Sequence, residues 1–532
     1  MHNANATSDP PGANPLLRST RLPINALVRA DVLILLLIFF AFYFFRLSEF
    51  SLSIDDEMGA LQASSRVWVL TGRWAGYLFD QFLLPNSTVP FFPIFLFGLL
   101  LSISYPILLS AFGVNRLGLI HYFAFPLYVA LPTWTFLAAF AANIASAGFA
   151  QLFVVCALCM YRRAGGMTDE EDSAAPAKRR VLNILAGSIL LAFAIGIYQS
   201  FVFSFIALSL AVVLVHSLQK CELTWKTVLR RVVLLFAVVV LSAILYTIAD
   251  VVLRAATNLH DRTYIGYFAD WHALIASPLT TSLNVVASML NIYGGRPVIY
   301  GVNAFAFPVI VCLGIAAIAC LPKLSLGQRL LALALTASIL GVPFLQHFLA
   351  GGNMPVRTLV AIPAIFCCLA LIGMTSRHTW LALAMFFAVS MSLLQILYSS
   401  TMLQAANHFA RVHDQELAAA IYTRIVDVHP DFSSGKTYPV DFFGAKHFDT
   451  IYPRPFSSTA GFSFFEWGGG DGLRITNYMR LVGYSNLQPV QPDQRQSDRA
   501  VFAQMPVWPA RDSVRAVGNV TLVKLDATSS IP

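Results

Sequence analysis

Charge is scarce in this chain. Of its 532 residues only 12% are Asp, Glu, Lys or Arg and 57% are hydrophobic, whereas soluble proteins carry about 25% charged residues. That shortage excludes a water-soluble chain and leaves an integral membrane protein. No connection between apolar runs contains a Gly-rich phosphate loop, so nothing on those loops marks a nucleotide site. No small-residue cleavage site follows the first apolar run closely, which argues against a cleaved signal peptide. Residues 1–30, rich in Asn, Pro, Ser and Ala, read instead as a disordered cytoplasmic tail leading into a signal anchor. None of the seven cysteines lies beyond residue 400. Cys156 and Cys159 form a C-x-x-C, but without the further ligands a zinc or redox centre needs, so they read as small buried hydrophobes. The formal net charge of +8 is spread over the ends of apolar runs rather than gathered in one basic face. No nucleic-acid partner is expected.

What the chain has is apolar runs, most near the roughly 20 residues that cross a bilayer. Eleven are legible: Asp31–Leu47, Val89–Phe112, Leu117–Leu131, Ile144–Tyr161, Val181–Tyr198, Phe201–Leu218, Val232–Asp250, Asn303–Leu321, Leu330–Phe344, Thr358–Met374 and Trp380–Tyr398. "ALPTWTFLAAFAAN", between the third and fourth, reads as a loop, a re-entrant segment or part of a longer helix. Aromatics at 13%, 42 of them Phe, suit lipid-facing and interfacial surfaces.

The basic residues orient this set. Arg18, Arg21 and Arg29 precede the first run, and Arg116 follows the second. Arg162, Arg163, Lys178, Arg179 and Arg180 flank the fourth–fifth connection; Lys220, Lys226, Arg230 and Arg231 flank the sixth–seventh. Lys323 and Arg329, then Arg377 and His378, mark the last two. With eleven spans all these connections fall on one side, which the positive-inside rule makes cytoplasmic. The loop 48–88, the Arg254–Pro297 loop, "QHFLAGGNMPVR" and the tail 401–532 then lie outside. The tail reads as a small α+β extracytoplasmic domain following a transmembrane domain, 31–400. "QAANHFARVHDQELAAAIYTRIVDVHP" has helical spacing, "TYPVDFFGA" and "FSFFEW" read as strands, and "SVRAV" and "VTLVKL" form a hairpin around Gly518–Asn519.

Chemistry on this side has a natural starting point in "SIDDEMGALQASSRVWVLTGRW", directly after the first run. Paired carboxylates at a membrane edge suit a general base, one taking a proton from a hydroxyl nucleophile while the other orients it or raises its pKa by like-charge repulsion. Asp55, Asp56 and Glu57 also suit the plain role of solvating a helix end. Downstream, Arg66, Arg73 and Trp74 lie in a partly amphipathic segment with Trp68 and Tyr77, where an arginine fork can hold a phosphate or merely touch headgroups. Arg357, with His347 in the same loop, is a cation at the start of a span and needs an anionic partner. Arg254, His260, Asp261, Arg262 and Tyr264 form another polar cluster at a span's outer end. Tyr198 and Gln199 are placed to hydrogen-bond a saccharide.

The stretches "DDEMGALQASSRVWVLTGRW", "GIYQS", "MPVRTLVAIP" and "MPVWPARDSVRAVGNVTLVKL" together resemble the serotype-converting O-antigen glucosyltransferases of bacteria, the type II glucosyl transferase family. Where that family often has an arginine three positions after the aspartates, this chain has Gly59, and Arg66 or Arg73 stands in. The resemblance implies a polytopic α-helical membrane protein of C-type glycosyltransferase architecture in the bacterial inner membrane. It implies an inverting transfer of glucose from a polyprenyl phosphate to a lipid-linked or lipopolysaccharide glycan. Asp55 or Asp56 would be the base, with Arg73 and Arg357 on the leaving phosphate. No cofactor is required by this chemistry, and a divalent cation held by the aspartates is left open. The rival reading is a flippase for lipid-linked sugars, which would use the same arginines on a phosphate headgroup.

Overall fold

The structure is a computed structural model that describes residues 30–49, 52–61, 66–84, 91–165, 167, 177–219, 223–259, 270–322, 324–352, 354–455 and 459–528. Residues 1–29, Lys220, Lys323 and the cluster His260, Asp261, Arg262 and Tyr264 lie outside the described residues.

Among the described residues eight helices are long and apolar enough to cross a membrane. They are Ala30–Ser48, Phe91–Ala111, Asn143–Ala164, Ala177–Ile197, Phe201–Gln219, Trp225–Thr257, Leu326–Leu349 and Thr379–Val428. The other three expected spans fold as the shorter apolar helices Leu119–Val129, Ala306–Ala319 and Ile362–Met374. "ALPTWTFLAAFAAN" is none of a plain loop or one long helix: it holds a short buried helix, Pro132–Ala138, and a break at Phe140 before the next helix begins at Ala141.

Polar caps move the boundaries outward from the apolar cores. The seventh expected span starts at Trp225 rather than Val232, because the Thr224 side chain accepts the Thr227 N–H at 3.3 Å and satisfies an orphan donor of its first turn. It runs past Asp250, which is ion-paired to Arg254 one turn on and so tolerates burial, and it ends at Asn258 in a left-handed conformation (φ 55°). Close approach needs small residues in a lipid medium. A Cβ on Gly98 would lie 2.3 Å from the Phe39 ring, and one on Gly196 2.5 Å from the Trp74 ring. The Arg254–Pro297 stretch is not all loop. It contains the helix Pro278–Tyr293, which leaves Leu279, Leu283, Val286 and Leu290 exposed along one face.

The last spanning helix, 50 residues long, crosses the expected boundary at residue 400 without a break and reaches Val428. Beyond it lies a four-stranded sheet in the order β2-β1-β4-β3, with β1 Tyr438–Phe443, β2 Leu487–Pro489, β3 Val514–Val517 and β4 Val520–Lys524. Strand β1 pairs parallel to both neighbours, and β3–β4 is the expected antiparallel hairpin, closing Val517 on Val520 around Gly518 (φ 61°). Helices Gly472–Leu481 and Pro492–Gln504 complete the unit.

"FSFFEW" is not a strand. Two carboxylates hold it as a turn. Asp414 accepts the Ser463 hydroxyl and the Phe464 N–H, and Glu466 accepts the N–H groups of Ser463 and Phe448. Local hydrogen bonds of this kind compete with a ladder, and here they outweigh the β-propensity of the phenylalanines.

Candidate functional site

The segment after the first helix turns sharply at Asp55, whose φ of 80° puts a non-glycine residue in the left-handed region. That conformation is uncommon, though aspartate adopts it more readily than most, and it recurs at functional sites. It divides the three carboxylates. Asp56 and Glu57, in the short helix Asp56–Ala60, are fully buried. Asp56 accepts the Ser53 N–H at 3.0 Å and interacts electrostatically with Arg46, whose guanidinium also donates to the Ala138 carbonyl at 2.7 Å. Asp55 is more open, with 41% of its side chain exposed.

Arg474, from the helix Gly472–Leu481, bridges the pair that flanks the turn. Its Nη2 lies 2.7 Å from Asp55 Oδ1 and its Nη1 2.8 Å from Glu57 Oε1. Burial pushes the Glu57 carboxyl up to about 7, with the Arg474 cation opposing. Among the described residues no three His, Cys, Asp or Glu side chains gather to hold a metal. The Asp55–Glu57 pair is filled by a guanidinium, which does not fit a divalent ion held there.

The segment Arg66–Leu83 is held by two outside hydrogen bonds and one internal one. Gln199 Nε2 donates to the Thr71 carbonyl at 3.0 Å, Tyr246 Oη to the Gly72 carbonyl at 2.9 Å, and Trp68 Nε1 to Asp80. Burial raises the Asp80 carboxyl to about 6, opposed by the indole hydrogen bond. Between these anchors Arg73 sits 4.7 Å from the Tyr198 ring centre and 5.6 Å from that of Trp68. Arg357 lies 4.9 Å from the centre of the Phe140 ring. Stacking of this kind places each cation against the face of an aromatic ring.

Asp55, Arg73, Tyr198 and Arg357 line one cavity of about 580 Å³, together with Trp68, Asn143 and Ser146. Arg73, Tyr198 and Arg357 also line a second space of about 830 Å³, shared with Gln199, Phe203, Leu349, Met354 and Pro355. Gln346 ties two walls of the second space together, accepting the Ser200 hydroxyl at 2.8 Å and donating to the Thr358 carbonyl at 3.1 Å.

The remaining residues singled out from the sequence stand elsewhere. Trp74 is buried in the membrane core against Phe193, ring centres 5.1 Å apart. His347 is buried against Phe344 and lines neither cavity. Asp56 and Glu57 support the turn without reaching the cavity surface. Arg66 opens the short helix Arg66–Leu70. Arg254 is committed to Asp250. Sequence reasoning missed Arg474, Asn143 and Ser146. Asn143 and Ser146 gave a faint signal, as polar residues in the opening turns of an apolar helix, while Arg474 gave none.

Fold and cavity together define a helical membrane protein with two guanidiniums and a carboxylate on the lining of one cavity. The chain belongs to the family Glucosyl transferase GtrII, whose model matches residues 43–374. It is thus a membrane glycosyltransferase by family, and the flippase reading is not favoured. The matched span contains every site residue proposed from the sequence, whereas Arg474 lies beyond it. No curated protein and no solved structure matches the chain.

Proposed function

We propose that the chain transfers glucose from a polyprenyl phosphate to O-antigen or another surface polysaccharide, on the extracytoplasmic face of the bacterial inner membrane. The observation that carries this reading is the shared lining of the two spaces. Arg73, Tyr198 and Arg357 stand between a polar cavity that contains Asp55 and a more apolar one walled by Phe203, Leu349, Met354 and Pro355. A lipid phosphate has just this division, with its charge at the arginines, its sugar toward Asp55 and its isoprenoid on the apolar side.

The side of the membrane is supported by the helix ends. Phe140 and Asn143 begin the helix that ends at Arg162 and Arg163. Ile197 and Tyr198 end the one that begins near Arg179 and Arg180. The cavity is therefore at the ends opposite the basic ones, which the positive-inside rule places in the cytoplasm.

In the reaction the acceptor hydroxyl oxygen attacks the anomeric carbon as the bond from that carbon to the phosphate oxygen breaks. The electron pair leaves with the polyprenyl phosphate, and the hydroxyl proton passes to Asp55. One in-line displacement inverts the anomeric centre. Arg73 and Arg357 stabilise the charge that develops on the leaving phosphate. Asp55 is preferred to Asp56 as the base because it lines the cavity while Asp56 is buried.

The test is transfer of labelled glucose from glucosyl-polyprenyl phosphate to a lipid-linked or lipopolysaccharide acceptor by purified protein. Asp55→Asn should lower the rate about 10²–10⁴-fold, the usual worth of a general base. An Asp55→Asn protein that transfers at the normal rate would falsify the base assignment. Absence of transfer by the unaltered protein from any polyprenyl-phosphate sugar would sink the donor class.

A further inference from the structure

The turn that presents Asp55 is folded by a part of the chain 419 residues away. Ile54 is buried in the apolar cluster of the C-terminal unit, with Leu417, Ile421, Phe464 and Tyr478, and not in that of the membrane helices. On either side of it, Ser53 Oγ lies 2.8 Å from Thr459 Oγ1, and Asn477 Nδ2 lies 3.3 Å from Met58 Sδ. Arg474 closes the contact with one nitrogen on each of two carboxylates.

We propose that Arg474 is a positioning residue, which fixes the Asp55 carboxylate toward the cavity by tying it to the buried Glu57. The C-terminal unit then completes a site whose other parts lie within residues 43–374. This inference rests on the glycosyltransferase reading of that cavity.

The bridge is unlike an ordinary surface ion pair. Its two carboxylates differ in setting, Glu57 fully buried and Asp55 open to the cavity, so the guanidinium ties an exposed group to a buried one. Asp471 Oδ2, 3.8 Å from Arg474 Nε, steadies the guanidinium from behind. Two separate acceptors on adjacent nitrogens require the planar fork of arginine, and the single ammonium of lysine does not span them. Glu57 is also held up to about 7 by burial, with Arg474 opposing. Without the guanidinium Glu57 loses the cation that opposes its burial, and its proton uptake moves to higher pH.

The experiment uses the full chain in liposomes, with glucosyl-polyprenyl phosphate as donor, and compares Arg474→Met, Arg474→Lys and Asp55→Asn. Arg474→Met should lower kcat about 10–100-fold, leave the donor KM within about twofold, and move the acidic limb of the kcat profile up by about one pH unit. Arg474→Lys should keep the limb in place and lose about tenfold in kcat. In Arg474→Met, a loss that reflects only poorer folding would lower the amplitude with the limb unmoved, and that result overturns the proposal, as does Arg474→Lys at full kcat. Disulfide formation in Ser53→Cys/Thr459→Cys reports docking independently of activity. It should form in the otherwise unaltered chain and in Arg474→Lys, and failure to form in either overturns the proposal as well. Full activity of Asp55→Asn would instead sink the reading of the cavity, a different outcome from full activity of Arg474→Met alone.

Discussion

Glu57→Gln should make the protein more stable above neutral pH and leave it unchanged at pH 4. Glu57 is fully buried, with Oε1 on Arg474 and Oε2 without a hydrogen-bond partner among the described residues. Burial lifts its carboxyl to about 7, against 4.5 for an ordinary glutamate. At 1.36 kcal/mol for each pH unit, ionising it in the fold costs about 3 kcal/mol more than in the unfolded chain. The folded state binds the proton more tightly, so stability falls as pH rises from about 4.5 through about 7 and is flat beyond. Glutamine has the shape of the protonated acid and cannot ionise, so that loss disappears. Thermal unfolding of the detergent-solubilised protein at pH 4, 5, 6, 7 and 8 reads the effect. The two proteins should melt together at pH 4, and the variant should melt increasingly higher up to pH 8. Equal slopes of Tm against pH would refute the reasoning, since Glu57 would then ionise in the fold without penalty.

Arg357→Met should cut kcat about 10–100-fold in the transfer assay, with Arg357→Lys falling less, because a cation facing a leaving phosphate acts mainly on the transition state. Gly196→Ala should cost about 1–3 kcal/mol by forcing a Cβ to within 2.5 Å of the Trp74 ring; a lower Tm, relieved in part by Trp74→Phe, checks it. Asp414→Ala leaves the Ser463 hydroxyl and the Phe464 N–H unpaired. It should loosen the C-terminal unit by about 1–3 kcal/mol, seen as faster proteolysis after residue 430 while the membrane helices stay resistant.

The helices were legible because lipid demands apolar length, a demand written residue by residue. Their ends were not, because Thr224, Asp250 and Arg254 work through single hydrogen bonds and ion pairs that hydropathy does not register. The cavity residues Asp55, Arg73, Tyr198 and Arg357 stood out as polar groups at the edges of spans. Asp56 stood out equally, since two adjacent aspartates look alike until the backbone turns between them at φ 80°. Trp74 and His347 carried the chemistry of a binding residue and the burial of a core residue, and the sequence shows only the first. "FSFFEW" misled because the carboxylate that bends it, Asp414, is 49 residues upstream of Ser463. Arg474 was beyond reach for the same reason at greater range.

The uninterrupted helix Thr379–Val428 acts as a gauge. At 1.5 Å per residue its 50 residues span about 75 Å, rigidly linking the membrane bundle to the sheet. Height and angular phase of the C-terminal unit are then both counted in residues. One alanine inserted near residue 405 would rotate everything beyond it by about 100° and carry Arg474 away from the turn it grips. A four-residue insertion nearly restores the angle but lifts the unit by about 6 Å. The length of this rod is therefore as much a part of the site as any side chain that lines it.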